Sequence, residues 1–194
     1  MNPFNKVHSS LPLYSYKSFL HPTEKEKENT IATCLRYNKN HSVRMKKMYT
    51  GYNFEVPNIG FLEKLSSKLK TTLNNLFGEY HQEQIENVFC YASNEKFKFD
   101  LWHDHTHTGT TLVSVYYLNL PKNNETGIQF QYGDTEILDY YPEEGELILF
   151  PHYLMHRPYK SGSSEEWRIS INIDRKLAAP EAALNKMENY NETN

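Results

Sequence analysis

The stretch FDLWHDHTHTGTTLVSVYYLNL, residues 99–120, sets three of the chain's nine histidines into five positions and then runs into a β-branched, aromatic strand. In an extended segment side chains alternate between faces, so His103, His105 and His107 would share one face while Asp104 and Thr106 take the other. Imidazoles that share a face at the lip of a strand can converge on a metal ion. The plainer reading is a solvated polar strand end, which serves for any single histidine.

Around this stretch the pattern is period two or short apolar runs. IENVFCYA, KFKFDLW, TTLVSVYYLNL, GIQFQYG, EILDYY, GELILFP and EWRISINI follow one another, separated by turn formers such as PKNNETG, PEEG and KSGSSE. So many short strands in succession describe an antiparallel sandwich or barrel, and a jelly roll resolves the edge problem by folding two sheets face to face. Upstream, FLEKLSSKLKTTLNNLF (61–77) places Phe61, Leu62, Leu65, Leu69, Leu73, Leu76 and Phe77 at three- and four-residue steps, the stripe of an amphipathic helix ending at Gly78. Residues 1–60 carry no strong period, although the charged run TEKEKENT can open a short helix. KLAAPEAALNKMENYNETN (176–194) reads as a short helix broken by Pro180, then a polar tail.

At 194 residues the chain supports one good core, so a single domain is expected: an N-terminal extension with its support helix (1–84), a β core (85–175) and a C-terminal tail (176–194). The net charge of −3 gives no bulk electrostatic reason to bind nucleic acid or a membrane, with Arg44, Lys46 and Lys47 as a local basic patch. Cys34 and Cys90 form no Cys-x-x-Cys pair or disulfide framework, and neither a signal-peptide pattern nor a long apolar run occurs. A cytoplasmic protein is expected.

A histidine pair needs a third ligand from elsewhere. In GELILFPHYLMHRPY (145–159) a glycine turn leads into an apolar strand that Pro151 ends, after which His156 returns; His152, directly after the strand break, is the competing candidate. Twelve residues past His156, Arg168 alternates with Ile169 in step with Ser170. An arginine that points into a β-sandwich is costly unless an anion meets it, whereas on an edge strand it would form a surface ion pair. A bound carboxylate would suit both the guanidinium fork and the hydroxyl.

The order His-x-His, strands, Gly-turn, strand, His, then Arg-x-Ser resembles the iron(II)- and 2-oxoglutarate-dependent dioxygenases, roughly over residues 85–174. HTHTGTT is similar to their His-Thr-Asp-x-Gly segment and VYYLN to the following strand of the prolyl hydroxylase branch. GELILFPHYLMHRP and EWRISINI look like the closing motif of a phage and bacterial oxygenase branch with His-x-His. The resemblance implies a mostly β protein, a double-stranded β-helix with an N-terminal helix packed on it and a short C-terminal helix. It implies His105, His107 and His156 as Fe(II) ligands, with His103 as the alternative partner of His105, and Arg168, Ser170 and Tyr117 as the clamp for the distal carboxylate of 2-oxoglutarate. Its chemistry consumes O₂ and 2-oxoglutarate, hydroxylates a primary substrate that the motifs do not identify, and releases succinate and CO₂, with ascorbate as a supporting reductant. None of His103, His105, His107, His152 and His156 is followed two residues later by Asp or Glu, so three histidines would replace the usual two-histidine, one-carboxylate face. The aromatic-rich first third, with Tyr37, Tyr49, Tyr52 and Phe54, is expected to contribute substrate contacts.

Two other readings compete. A cupin shares the barrel and the His-x-His pair, but would place a glutamate where Thr110, Thr111 and Leu112 stand. A non-enzymatic jelly-roll module would bind no 2-oxoglutarate at all.

Overall fold

The computed structural model describes residues 3–44, 53–78, 88–96, 101–122, 126–159, 165–178 and 180–192. In chain order the elements are β1 (Asn5–His8), β2 (Leu11–Tyr16), α1 (Glu24–Arg44), β3 (Asn53–Val56), α2 (Phe61–Phe77), β4 (Val88–Ser93), β5 (Leu112–Asn119), β6 (Gly127–Tyr132), β7 (Glu136–Tyr140), β8 (Leu147–Pro151), β9 (His156–Tyr159), β10 (Arg168–Asn172) and α3 (Pro180–Glu192). The strands form a seven-stranded sheet in the order β1-β2-β8-β5-β10-β4-β3 and a three-stranded sheet β7-β6-β9, with every pairing antiparallel. This is the expected double-stranded β-helix with helices packed on it.

Alternation along each central strand gives the large sheet two different faces. Ile169, Ile171 and Ile173 of the β10 segment join Leu112, Tyr116 and Leu118 of β5 and Cys90 and Ala92 of β4 in a core under the helices. The opposite face carries Val113, Val115 and Tyr117 of β5 and Ile148 and Phe150 of β8, which meet Ile128 and Phe130 of β6 in a second, smaller core between the sheets. Helix α2 buries the stripe expected of it, Phe61, Leu62, Leu65, Leu69, Leu73, Leu76 and Phe77, against the first core. Each such leucine is worth about 2–5 kcal/mol when truncated to alanine.

The weakly patterned first third is more ordered than its sequence suggests. Strands β1 and β2 extend the large sheet beside β8, and β3 lies at its other edge against β4. Helix α1 runs 21 residues rather than a short turn or two. A capping box starts it: Glu26 N–H donates to Thr23 Oγ1 at 3.3 Å while Glu26 Oε2 accepts from Thr23 N–H at 2.9 Å. Pro180 begins α3 instead of breaking a helix, because a first-turn residue has no intrahelical use for the N–H that proline lacks. Strand β9 was not anticipated, since HRPY has neither alternation nor β-branched residues. Of KFKFDLW, residues 97–100 lie outside the described residues, as do residues 85–87 of IENVFCYA.

Glycine is required in the turn before the β8 strand. Gly145, in the turn before β8, has φ +83°, and a Cβ there would lie 2.4 Å from the His21 ring. The turn feeds Glu146 into the space between the sheets. No helix among the described residues is long and apolar enough to cross a membrane.

Candidate metal and anion site

His103 and His156 face each other across an antiparallel bridge that adds a short fourth segment to the small sheet beside β9. The two residues exchange both backbone hydrogen bonds, His103 N–H to His156 O at 3.0 Å and His156 N–H to His103 O at 2.9 Å. In such a pair the side chains leave the same face, and His105, two residues on, follows them. Its N–H donates to the His152 carbonyl at 2.8 Å. One ring nitrogen from each of His103, His105 and His156 lies within 4.8 Å of the others. His105 and His156 are buried and His103 is half-buried.

The expected pairing of His105 with His107 is not what the structure assembles. The strand geometry stops at His105: Asp104 Oδ1 accepts from Thr106 N–H at 3.0 Å and Thr106 Oγ1 at 2.7 Å, and Thr108 N–H returns to His105 O at 3.1 Å. This turn points His107 into solvent. The period-two argument fails there because the chain is no longer extended, and His103, the alternative partner, takes the place. His152 stays outside the cluster as expected, with its Nδ1 3.3 Å from Thr111 O.

Each imidazole of the cluster is oriented through Nδ1. His103 Nδ1 lies 3.0 Å from Leu101 O, His156 Nδ1 lies 2.8 Å from Leu154 O, and His105 Nδ1 lies 2.9 Å from Asp174 Oδ2. All three partners only accept, so Nδ1 carries the hydrogen and a neutral ring keeps its lone pair on Nε2. Burial, then the neighbouring His103, pushes His156 down from the ordinary imidazole value to about 3. Burial also lowers His103. Burial thus favours the neutral form of His156 and His103, the state in which a metal can take an imidazole.

A cavity of about 390 Å³, within the range of small-molecule sites, is lined by the three histidines and also by Arg168 and Ser170. On β10 the residues that alternate with the core isoleucines, Arg168, Ser170 and Asn172, all line it. Ser170 pairs with Tyr91 on β4 and Tyr117 on β5, making a lateral row, and the Arg168 guanidinium carbon sits 5.5 Å from each of those two rings. Arg168 is fully buried, yet among the described residues its Nε and Nη1 have no hydrogen-bond partner. Burial raises the Tyr117 hydroxyl far above its ordinary value, opposed by the charge of Arg168.

Glu146, the other buried charge near Tyr117, provides the contrast. Its carboxylate accepts from Ser15 Oγ at 2.6 Å and Glu143 N–H at 2.9 Å, meets Lys17 Nζ at 3.1 Å, and takes the Tyr140 hydroxyl as well. The anion is satisfied inside the protein, whereas two nitrogens of the cation lack a partner among the described residues. A carboxylate entering the cavity would satisfy Arg168 with a charge-assisted bond, and the cluster's donor set of three neutral imidazoles suits a first-row divalent metal.

Sequence reasoning did not single out Tyr91, Asp174 or Glu146. Tyr91 was findable, because in NVFCYAS it alternates with Phe89 against Val88, Cys90 and Ala92; the other two depend on contacts far apart in the chain. Tyr37, expected near substrate, instead packs against the core under the helices. Tyr49, Tyr52 and the Phe54 side chain lie outside the described residues.

No family model and no curated protein matches this chain. Among solved structures it is similar to a Pseudomonas putida prolyl-4-hydroxylase, at 13% identity and TM-score 0.60, covering 87% of this chain and 94% of that one. It is also similar to the carbocyclase SnoK from nogalamycin biosynthesis, described as non-heme and alpha-ketoglutarate-dependent, at 11% identity and TM-score 0.59 over 87% of this chain and 80% of that one. The viral collagen prolyl hydroxylase vCPH of Paramecium bursaria Chlorella virus-1, in its 2OG complex, matches at 16% identity and TM-score 0.57 over 88% and 99%. At these identities the likeness is one of fold, and the fold is the one these prolyl hydroxylases and SnoK share.

Proposed function

We propose that the protein is a non-haem Fe(II)- and 2-oxoglutarate-dependent dioxygenase that hydroxylates a primary substrate. The observation that carries this reading is the buried Arg168, with Nε and Nη1 unpartnered among the described residues, in the same cavity as His103, His105 and His156. The fold likeness to vCPH, whose structure is a 2OG complex, supports it. His103, His105 and His156 would hold the iron through Nε2, so the ligand pair is His103 with His105 rather than His105 with His107. Arg168 and Ser170 would receive the distal carboxylate of 2-oxoglutarate, with the Tyr117 hydroxyl beside the guanidinium. Phe89, Val115, Ile128 and Pro158 would keep water from the space between the two ends.

Iron(II) with 2-oxoglutarate supplies the oxidising chemistry: O₂ is reduced as the co-substrate is decarboxylated to succinate and CO₂, and a C–H bond of the primary substrate becomes C–OH. The protein contributes orientation, through histidine rings fixed at Nδ1 and a carboxylate anchor fixed by neighbouring strands. The cysteines Cys34 and Cys90 are free and buried, which agrees with a reducing compartment such as the cytoplasm.

The test is succinate formation by iron-loaded protein given 2-oxoglutarate, O₂ and ascorbate, including the slow turnover that occurs without primary substrate. The absence of both 2-oxoglutarate binding and succinate would overturn the proposal and leave a cupin-type metal protein or a binding module.

A further inference from the structure

The three imidazoles of the cluster are not equivalent. Those of His103 and His156 give their Nδ1 hydrogens to neutral peptide carbonyls, of Leu101 and Leu154, whereas His105 gives its own to a carboxylate, Asp174 Oδ2, at 2.9 Å. Asp174 is held in place by the backbone. Pairing with β5 continues past the end of β10, where Ile173 N–H donates to Ser114 O at 3.1 Å and Arg175 N–H to Leu112 O at 2.9 Å. Its other oxygen, Oδ1, is buried without a hydrogen-bond partner among the described residues, so the hydrogen bond to His105 is the one its carboxylate makes there. Asp104, the nearer carboxylate in sequence, is turned to Thr106 instead.

A donor set of three neutral histidines leaves a divalent ion with its full charge. On that basis, and resting on the metal-site reading above, we infer that Asp174 is a positioning residue that sets the charge of the metal centre through His105. A carboxylate on Nδ1–H fixes the tautomer and ring orientation and raises the basicity of Nε2, making His105 a stronger donor than His103 or His156. The negative charge that a His-x-Asp site would place directly on the metal is here set one imidazole away. The clamp residues Arg168 and Ser170 lie on the same strand segment, so one run of chain, RISINID, fixes both ends of the cavity.

The charge and the hydrogen bond are separable. Asp174→Asn keeps the size and an acceptor oxygen but removes the charge; Asp174→Ala removes both. Co(II) and Fe(II) titrations and the Fe(III)/Fe(II) midpoint potential of the iron-loaded protein, taken without 2-oxoglutarate, read the effect apart from turnover. Asp174→Asn is expected to bind either ion about tenfold more weakly and to show a more positive potential, and Asp174→Ala to approach a 100-fold loss. An Asp174→Asn protein with wild-type affinity and potential overturns the inference, as do equal losses of affinity in both variants at an unchanged potential, which would leave Asp174 a merely structural support. If Asp174→Asn does not fold, Asp174→Glu is read instead: a wild-type potential supports the inference and a raised one overturns it. Wild-type protein that binds neither ion overturns the metal-site reading and this inference together, an outcome distinct from failure of the Asp174 variants alone.

Discussion

The two faces of the seven-stranded sheet are built from the same strands and do different work. Towards the helices, β10 presents Ile169 and Ile171, followed by Ile173, in a core closed by α1, α2 and α3. Towards the small sheet it presents Arg168, Ser170 and Asn172, with Arg168 Nε and Nη1 and Asn172 Oδ1 unsatisfied among the described residues. Burial of apolar surface stabilises one face, while desolvated polar groups destabilise the other. On β10 the contrast separates the residues that hold the fold from the residues that line the cavity.

The sharpest break between the two is expected at the histidines. His156→Ala should weaken Fe(II) or Co(II) binding by more than about 100-fold, beyond the loss typical of a residue that only supports a ligand. Exposed His107→Ala should leave the titration unchanged; equal losses would restore the pairing of His105 with His107. On the helix side, Ile171→Ala should cost about 3 kcal/mol in denaturant unfolding while leaving 2-oxoglutarate affinity near wild type in the folded protein. A co-substrate effect as large as the stability effect would erase the division between faces.

Arg168→Met should do the reverse. Losing the buried partner of a carboxylate typically costs about 2–5 kcal/mol, so 2-oxoglutarate should bind about 30-fold more weakly or worse, read by calorimetry on iron-loaded protein. The metal-free variant should unfold at higher denaturant, because an uncompensated buried charge has been replaced by an apolar chain. Lower stability would mean that Arg168 is satisfied within the protein.

The metal-free protein should also lose stability in mild acid. His156 is held at about 3 in the fold against 6.5 for the free side chain. The unfolded chain takes up a proton that the fold refuses, so this contribution is complete above pH 6.5 and is lost as pH falls from there towards 3. At pH 5 the loss is on the order of 2 kcal/mol, measurable as a pH-dependent denaturation midpoint that flattens in His156→Ala. The smallest effect is expected for Tyr117→Phe, where loss of one buried hydroxyl should raise the 2-oxoglutarate dissociation constant by about fivefold.

The strands were legible in the sequence because alternation states which residues share a face, and RISINI shows both faces in six letters. Helix α2 was legible for the same reason at another period. The site was legible in its components but not in its register: His103, His105 and His107 alternate equally well, and what excludes His107 is the Asp104 to Thr106 turn that ends the extended chain. Arg168 was visible as a charge inside a strand, but its missing partner is a fact of three dimensions. The first third was opaque because β1, β2 and β3 are completed by β8 and β4, which come much later in the chain.

The bridge between His103 and His156 also bears on when an ion can be loaded. A slip of one residue between those segments would turn the imidazoles outward, so the three donors converge in one pairing alone. Before the barrel closes, nothing fixes His156, about 50 residues further along the chain, beside the other two. An ion meeting the unfolded polypeptide finds the neighbouring imidazoles of His103, His105 and His107 on an unfixed chain, without His156 held beside them. Assembly should therefore run from chain to closed barrel to metallated protein, and the amide protons of His103 and His156 should already exchange slowly in protein that has never met a metal.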